Sequence, residues 1–293
     1  MDNNSSIFFA LAIVVIVIII LFILNYSSIN IVSFNSKFGF CDPISFASII
    51  DQSYYFSSLN KTDLKKRRCR TNDQYKSNYK RSFCNFTDVE RDRLIKLTNK
   101  ALDILPSGIV AKVKWSYAKI GIDFEMGLPH TLGDRSSGVI VCICSIPLTI
   151  LGDVELLEII CHEIVHVYQR LWESDYIRLV ESLGFINYNI NSDTYDFLYG
   201  NYVKAANPDT WGYWVYNGCI LLSVYFGEEL DNMDATYNLA TGKTVLGGLD
   251  MGCNLIQQDH PFEIVAASIA KIAIGKSSDI RPDWLSIFSR FDY

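Results

Sequence analysis

The pattern of hydrophobic and polar positions divides the chain into four segments. Residues 1–6 form a short polar tail, and residues 7–24 form an unbroken apolar run without a charged side chain. Residues 25–85 are polar and partly basic, whereas residues 86–293 alternate between apolar patterns of helical and of strand period. The last segment is long enough to bury a sizeable core, so we predict that it is the folded domain.

The apolar run over 7–24 predicts a single-pass transmembrane helix. Its 18 residues rise about 27 Å as a helix, which is just enough to cross the hydrocarbon core of a bilayer. A cleaved signal peptide would instead have a basic leader and a shorter apolar core. The flanking charges are few, since Asp2 precedes the run and Lys37 follows it, and they do not determine its orientation in a membrane. The sequence therefore predicts a membrane location and leaves the orientation open.

Basic side chains are concentrated between Lys61 and Arg81. This window contains nine basic and two acidic residues, although the net charge of the whole chain is −6. The window begins well past the apolar run, which favours a solvated surface loop. Contact with anionic lipid headgroups is the alternative, because each basic residue near a membrane surface gains about 1 kcal/mol. No motif of a nucleic-acid reader accompanies the charges, so nucleic acid is not expected as a partner.

Within 86–293, local patterns predict a mixture of helices and strands. Thr87 and Glu90 have the spacing of a capping box, which marks the start of a helix. Pro261 stands at the first position of a later helical pattern, where proline is favoured. The predicted elements are, in chain order, a helix over 87–105, strands over 109–126 and 138–146 separated by a turn-rich segment, helices over 153–172 and 174–183, a strand over 219–226, and a helix over 261–274. This mixture indicates an α+β fold.

The helix predicted over 153–172 contains the stretch HEIVH and, with it, two of the four histidines of the chain. His162 and His166 are four residues apart, so both imidazoles project from one face of the helix and can bind the same Zn²⁺ ion. Glu163 lies beside the first histidine, where it can take a proton from a zinc-bound water as general base. The surrounding positions are apolar nearly all round the helix, which predicts that it is buried. A metal-free cluster of mutually satisfied polar side chains is the alternative.

A catalytic zinc site usually has a third protein ligand. The HEIVH motif resembles that of two families of zinc metallopeptidases, the gluzincins and the aspzincins, and each resemblance implies one candidate carboxylate. Glu263 lies in the first turn of the helix predicted over 261–274, and the small residue Ala266 follows it by three positions. A small side chain there would let that helix approach the HEIVH helix closely. Asp196, in the stretch DTYDFLYG, is the second candidate and follows His166 by 30 residues.

His162, Glu163, His166 and Glu263 together resemble the zinc ligands and the general base of the gluzincin family of zinc metallopeptidases. The resemblance rests on two short motifs, HEIVH and HPFEIVA, and the second has the E-x-x-A spacing common in that family. It implies one Zn²⁺ ion per chain, bound by the two histidines and Glu263, with Glu163 as the catalytic residue. The stretch around Asp196 echoes the signature of the aspzincins instead, so the identity of the third ligand is open at this point.

The resemblance also implies an architecture. A zincin-like α+β domain has a twisted, mostly antiparallel sheet over a central HExxH helix, and here a C-terminal helix would supply Glu263. The run GVIVCICS would be the edge strand that aligns an extended peptide by main-chain pairing. Gluzincins related to thermolysin have an aspartate four residues after the glutamate, where this chain has Ala267. Another group must then orient a zinc-bound histidine, and Gln169, on the same helical face as His166, is the candidate.

Together, these patterns predict a membrane-anchored zinc metallopeptidase that hydrolyses peptide bonds in a peptide or protein substrate through a zinc-activated water. The alternative is a catalytically inactive zincin-fold membrane protein that acts as a binding or structural component. Membrane lipid is the other expected partner. The two remaining histidines have plainer interpretations. We expect His130 in a turn at the surface and His260 as a cap of the last helix.

Overall fold

The computed structural model describes residues 37–189, 204–225, 232–240, 243–246, 260–277 and 280–288. Contacts between residues group the chain into a first unit, residues 1–39, and a second unit, residues 40–293. The tail predicted over 1–6 and the apolar run over 7–24 lie outside the described residues. The candidate site belongs to the second unit.

The predicted fold class and the predicted location included an N-terminal transmembrane helix, and this part of the prediction is corrected. Among the residues that the structure describes, no helix is both long enough and apolar enough to cross a membrane. The longest of them, Asp153–Leu171, carries acidic residues in its first turn and an arginine in its last turn. The described residues form a mixture of helices and sheets.

Eleven helices and nine strands make up the described parts of the chain. The helices are α1 (Pro43–Gln52), α2 (Tyr54–Ser58), α3 (Lys61–Lys66), α4 (Asn72–Arg81), α5 (Asp88–Ile104), α6 (Ser107–Lys112), α7 (Ser145–Ile150), α8 (Asp153–Leu171), α9 (Glu173–Ser182), α10 (Pro261–Ala273) and α11 (Pro282–Phe288). The strands are β1 (Phe38–Phe40), β2 (Trp115–Lys119), β3 (His130–Asp134), β4 (Gly138–Ile143), β5 (Ile186–Asn187), β6 (Trp214–Tyr216), β7 (Cys219–Tyr225), β8 (Asn232–Asn238) and β9 (Lys243–Leu246). A short 3₁₀ helix, Glu125–Gly127, lies between β2 and β3.

In the first sheet, β4 lies between β2 and β3. β2 pairs with β4 in parallel and β3 pairs with β4 antiparallel, so this sheet is mixed and not mostly antiparallel as predicted. The prediction that the run GVIVCICS is the edge strand is also wrong, because β4 has a neighbour on each side. Its apolar residues are all buried, which is typical of a strand covered on both faces. In the described chain, β3 is the strand at that end of the sheet.

The second sheet consists of β5 to β9 in chain order, and each strand is antiparallel to the next. Its strands pack their apolar side chains into a separate small core. The buried members of this core are Val215, Ile220, Leu222, Val224, Ala235 and Tyr237. The first sheet precedes α8 in the chain and the second follows it.

Local helix predictions agree with the structure where a capping pattern supports them. α5 begins after Thr87, whose hydroxyl accepts from the Glu90 N–H while the Glu90 carboxylate accepts from the Thr87 N–H.

Residues 109–112, predicted as the start of a strand, belong to α6 instead. The carbonyl of Pro106 accepts hydrogen bonds from two of the N–H groups that follow it, and this turn starts the helix.

Residues 40–85 fold in the same unit as the HEIVH helix, although their composition predicted a polar and basic region outside the domain. Their helices contribute to a core rich in aromatic side chains, shared with β2, β3 and β4. The members with at most 2% exposure are Phe46, Ile50, Phe56, Tyr75, Tyr79, Ala118, Ile120, Leu132, Ile140 and Cys142. Tyrosine buries a large ring while its hydroxyl keeps a hydrogen bond, so tyrosines of a polar segment can still belong to a core.

The basic window between Lys61 and Arg81 is mainly helical, since α3 and α4 occupy most of it. Arg67 is buried, and its guanidinium binds the Glu125 carboxylate through Nε–Oε1 and Nη2–Oε2 contacts of 3.1 and 2.6 Å. The prediction of a solvated surface loop is therefore wrong at Arg67. A buried guanidinium needs a compensating charge, and the 3₁₀ helix after β2 supplies it.

Candidate metal centre

The HEIVH stretch lies in the second half of α8, which packs against α5, α10 and the first sheet. Its position confirms the predicted helix. Asp153 and Glu155 lie in the first turn, where negative charge stabilises the helix N-terminus. The His166 side chain is fully buried and Glu163 is 4% exposed, whereas the His162 side chain keeps 23% of its surface accessible. His162 is therefore partly accessible to solvent, whereas Glu163 and His166 are buried.

The first turn of α10 carries Glu263 and is held by His260. Pro261 occupies the first helical position, and Nδ1 of His260 accepts from the Phe262 N–H at 3.2 Å. Nε2 of His260 donates to the Trp211 carbonyl at 3.1 Å. Burial lowers the pKa of His260 to about 3, so the imidazole stays neutral. The prediction that His260 caps this helix is confirmed.

Three side chains from α8 and α10 converge. Nε2 of His162 lies 2.9 Å from Nε2 of His166, and Oε2 of Glu263 lies 3.1 Å from the former and 3.4 Å from the latter. Ala266, one turn after Glu263, is fully buried, as expected of a small residue where two helices pack closely. Ligand atoms of the three side chains lie within 4.8 Å of one another, so the group could hold a metal ion. We call these three residues the metal cluster.

The separations in the metal cluster fit a tetrahedral site. Ligand atoms at about 2.0–2.1 Å from a tetrahedral ion are about 3.3 Å apart, and the observed separations of 2.9, 3.1 and 3.4 Å lie on both sides of that value. Burial alone would lower the pKa of His166, but the carboxylates of Asp209 and Glu263 raise it to about 10. The cluster therefore favours a positive charge among its ligand atoms, which a divalent cation provides.

Gln169 fixes the orientation of His166. Its side-chain oxygen accepts from Nδ1 of His166 at 2.7 Å, so the lone pair of Nε2 is directed toward the metal cluster. The amide nitrogen of Gln169 donates to the Asp209 carbonyl at 2.8 Å, which determines the end of the amide that faces the histidine. This is the contact predicted for Gln169 in place of the aspartate that Ala267 replaces.

Asn207 holds the second carboxylate oxygen of Glu263. Its Nδ2 donates to Oε1 of Glu263 at 3.0 Å, and its Oδ1 accepts from the Asp209 N–H at 2.8 Å. Burial would raise the pKa of Glu263, but His166 and His162 lower it well below its usual value. Glu263 is therefore an oriented carboxylate, the form that binds a metal ion.

Glu163 is buried beside the metal cluster but faces a different group. Its Oε2 accepts from the Thr131 hydroxyl at 2.9 Å, and the Thr131 N–H lies 3.1 Å from both carboxylate oxygens of Asp209. Burial, followed by the negative charge of Asp209, raises the pKa of Glu163 to about 8. The carboxyl of Glu163 therefore holds a proton more readily than an exposed glutamate does.

A cavity of about 490 Å³ borders the metal cluster. His162, Glu163 and Glu263 line it, so ligand atoms and candidate base face the same space. Its walls are mostly apolar. The apolar side chains that line it include Met126, Leu128, Pro129, Leu151, Ile159, Ala267 and Ala270. A cavity of this size accommodates a small molecule or a short peptide segment.

His130 does not lie in a surface turn, so that prediction is wrong. It is buried in β3, where its Nε2 accepts from the Tyr79 hydroxyl at 2.6 Å and its Nδ1 donates to the Leu128 carbonyl at 2.9 Å. Gly133 allows this turn-like sequence to form a strand. Its φ is +91°, and a Cβ atom there would lie 2.0 Å from the Gly138 carbonyl oxygen.

Sequence patterns did not point to Thr131, Asn207 or Asp209. The stretch NPDT predicts a turn, but no local pattern shows that this turn contacts α8 and β3. Asp196, the rival third ligand, lies outside the described residues. No protein family model, curated protein or solved structure matches the chain.

Proposed function

We propose that this protein is a zinc-dependent metallopeptidase in which His162, His166 and Glu263 bind one Zn²⁺ ion and Glu163 is the general base. The observation that carries the proposal is the convergence of three ligand atoms beside a buried glutamate, with His162, Glu263 and this glutamate lining one cavity. Two imidazoles and one carboxylate in tetrahedral geometry are a donor set that suits zinc. The remaining coordination position would be open to water or substrate.

Glu163 is positioned to move one proton in this reaction. A zinc ion at the cluster would lower the pKa of a bound water to about 7 and polarise the substrate carbonyl. Glu163 takes the proton of the attacking water and returns it to the nitrogen of the leaving amine. The Thr131 hydroxyl holds one oxygen of Glu163 in place, which leaves the other oxygen for this transfer.

The contacts around the ligands support the proposal because they hold the ligand atoms ready before a metal ion binds. Gln169 turns Nε2 of His166 toward the cluster, and Asn207 turns Oε2 of Glu263 toward it. Both amides are in turn bonded to main-chain groups of Asp209. Such outer contacts commonly change metal affinity or activity by about 10- to 100-fold when they are removed.

The residues that line the cavity favour a peptide bond as the bond that is cleaved. Among the described residues that line it, none is a lysine or an arginine, so it lacks the cationic side chains that bind phosphate. Its apolar walls suit an uncharged side chain next to the reacting amide. Together with the resemblance of HEIVH and HPFEIVA to gluzincin motifs, this favours peptide hydrolysis over phosphoester chemistry.

Metal analysis and matched substitutions test the proposal on the full-length protein. The zinc-loaded protein should contain about one zinc per chain, and His162→Ala should lose most of it. Glu163→Gln should keep its zinc but cleave a mixed peptide library about 10²- to 10⁴-fold more slowly. Glu181→Gln, an exposed glutamate on α9, is the control and should change neither quantity.

The possible outcomes separate the hypotheses. Folded protein that binds no zinc would refute the metal site and the peptidase together. If zinc is bound and wild-type cleavage persists unchanged in Glu163→Gln, the general-base role is wrong. If zinc is bound but no peptide is cleaved by the wild-type protein, the catalytically inactive zincin-fold binding component replaces the peptidase.

A further inference from the structure

Residues 206–209 run beside the metal cluster, and we call them the strap. Every residue of the strap is bonded to another part of the second unit. The contacts are Ala206 N–H to Asp63 Oδ1 (3.2 Å), Ala206 carbonyl to Arg67 (3.0 Å), Asn207 to Glu263 (3.0 Å), Pro208 carbonyl to Arg170 (2.5 Å), Asp209 carboxylate to the Thr131 N–H (3.1 Å) and Asp209 carbonyl to Gln169 (2.8 Å). The strap is thus joined to α8, α10 and β3 at the site itself.

The strap and α8 occupy the outer edge of β3. β4 pairs with one side of this strand, and on the other side the Thr131 N–H donates to the Asp209 carboxylate at 3.1 Å. Two residues on, the Gly133 carbonyl accepts from Nη1 of Arg170 at 3.0 Å. Along the open side of an edge strand, every second residue points its N–H and C=O groups outward, and an added strand would bond to these groups. Thr131 and Gly133 are two such residues of β3. Asp209 and Arg170, which lie 3.5 Å apart, therefore take the place of a pairing strand.

The strap also separates two cavities. The first is the cavity that borders the metal cluster, and a second of about 490 Å³ is lined by side chains that include Tyr54, Lys204 and Tyr213. Ala206, Asn207 and Pro208 line both cavities. A single groove that could hold a long peptide is therefore interrupted at the strap, next to the metal cluster.

We propose that the strap restricts the substrate of this site to short peptide segments that bind within the first cavity. The inference rests on the proposed peptidase function and specifies its substrate class. A long, extended peptide would need the outer edge of β3 for main-chain pairing, and that edge is bonded to Asp209 and Arg170. The substrate instead gains affinity from a side chain that packs against the apolar walls of the first cavity.

The length dependence of ligand binding tests this inference without turnover. The probes are peptide hydroxamates that share one leucine next to the hydroxamate, which chelates zinc, and that grow from a dipeptide to an octapeptide. Binding to the zinc-loaded, full-length protein is measured by titration calorimetry. We expect affinity to reach a plateau with the shortest members. Pairing along β3 would instead tighten binding by about tenfold or more, since it adds several main-chain hydrogen bonds.

Arg170→Met provides a second measurement, because it removes the contacts of Arg170 to Gly133 and Pro208. In this variant the longer hydroxamates should gain affinity relative to the dipeptide. Arg170→Lys keeps a cation, so its gain in affinity for the longer hydroxamates should lie between those of wild type and Arg170→Met. Arg178→Met removes an exposed arginine that pairs with Asp175 on α9, and it should retain the plateau.

The outcomes distinguish failure of this inference from failure of the proposed function. If no hydroxamate binds to the zinc-loaded protein, the metal centre is not accessible as proposed and both fail. If the dipeptide binds and the wild-type protein binds the octapeptide about tenfold more tightly, the strap inference alone is overturned. A plateau that persists in Arg170→Met shows that the contacts of Arg170 to Gly133 and Pro208 are not its cause, and this too rejects the inference. If Arg170→Met does not fold, tighter binding of the octapeptide by the wild-type protein still overturns the inference, and Arg170→Lys then provides the second measurement.

Discussion

His166 donates its Nδ1 proton to the side-chain oxygen of Gln169, 2.7 Å away. Gln169 lies less than one turn further along α8 and is itself 1% exposed. Because an amide oxygen can only accept, the contact requires a proton on Nδ1 and leaves Nε2 as the nitrogen that can bind a metal ion. One helix therefore supplies both a candidate metal ligand and the group that orients it.

Gln169→Leu should weaken zinc binding by about 10- to 100-fold. The leucine keeps the side chain close in size but offers no acceptor, so His166 can rotate or change its tautomer. Zinc affinity is measured by competition with a chromophoric chelator. Gln74→Leu, at an exposed position of α4, is the control. Equal affinities in Gln169→Leu and wild type would show that this contact does not orient the ligand.

Thr131→Val should lower kcat by about 10- to 100-fold and change KM little, because it removes the hydroxyl that holds Oε2 of Glu163. Valine preserves the shape of the side chain, and the Thr131 N–H can still bond to Asp209. Thr131→Ser restores the hydroxyl and should recover most of the rate. Steady-state cleavage of a fluorogenic peptide selected from the library measures both constants. If the valine and serine variants have the same kcat, the hydroxyl does not position Glu163.

The two helices of the metal cluster could be predicted because their signals are local. HEIVH places two histidines and a glutamate within five positions, and Pro261 marks the start of the helix that carries Glu263. Periodicity and capping act over a few residues, so a single sequence reveals them. The convergence of the ligand atoms then follows from the close packing of α8 and α10.

The surroundings of the cluster could not be predicted, since they depend on contacts between distant segments. Thr131 contacts Glu163 across 32 positions of the chain, and Gln169 contacts Asp209 across 40. No periodic pattern encodes such pairs. The core formed by residues 40–85 was also missed, because the many serine, asparagine and basic residues give the segment a polar composition although its aromatic side chains pack together.

The buried pair formed by Arg67 and Glu125 should contribute strongly to stability. Arg67→Met should lower the free energy of unfolding by about 3–5 kcal/mol, because it leaves a buried carboxylate without its cation. Lys80→Met removes one partner of the exposed pair with Asp51 and should cost at most about 1 kcal/mol. Urea unfolding followed by circular dichroism measures both. Similar losses in the two variants would show that burial of the first pair is energetically unimportant.

The stability of the fold should fall in acid through Glu125. Burial alone would raise the pKa of this carboxyl, but the guanidinium of Arg67 lowers it below its ordinary value of 4.5. A carboxylate with a lowered pKa stabilises the folded state fully above the pKa of the unfolded chain. This contribution is lost as the pH falls below that value and through the pKa of the folded state.

Unfolding free energies of wild type and Glu125→Gln, measured from neutral pH down to about pH 3, should therefore converge in acid. Wild type should be the more stable protein at neutral pH, where Glu125 is ionised and bonded to Arg67. Asp51→Asn, at an exposed pair, is the matched control and should run parallel to wild type. If Glu125→Gln also runs parallel to wild type, the ionisation of Glu125 does not contribute to the acid sensitivity of the fold.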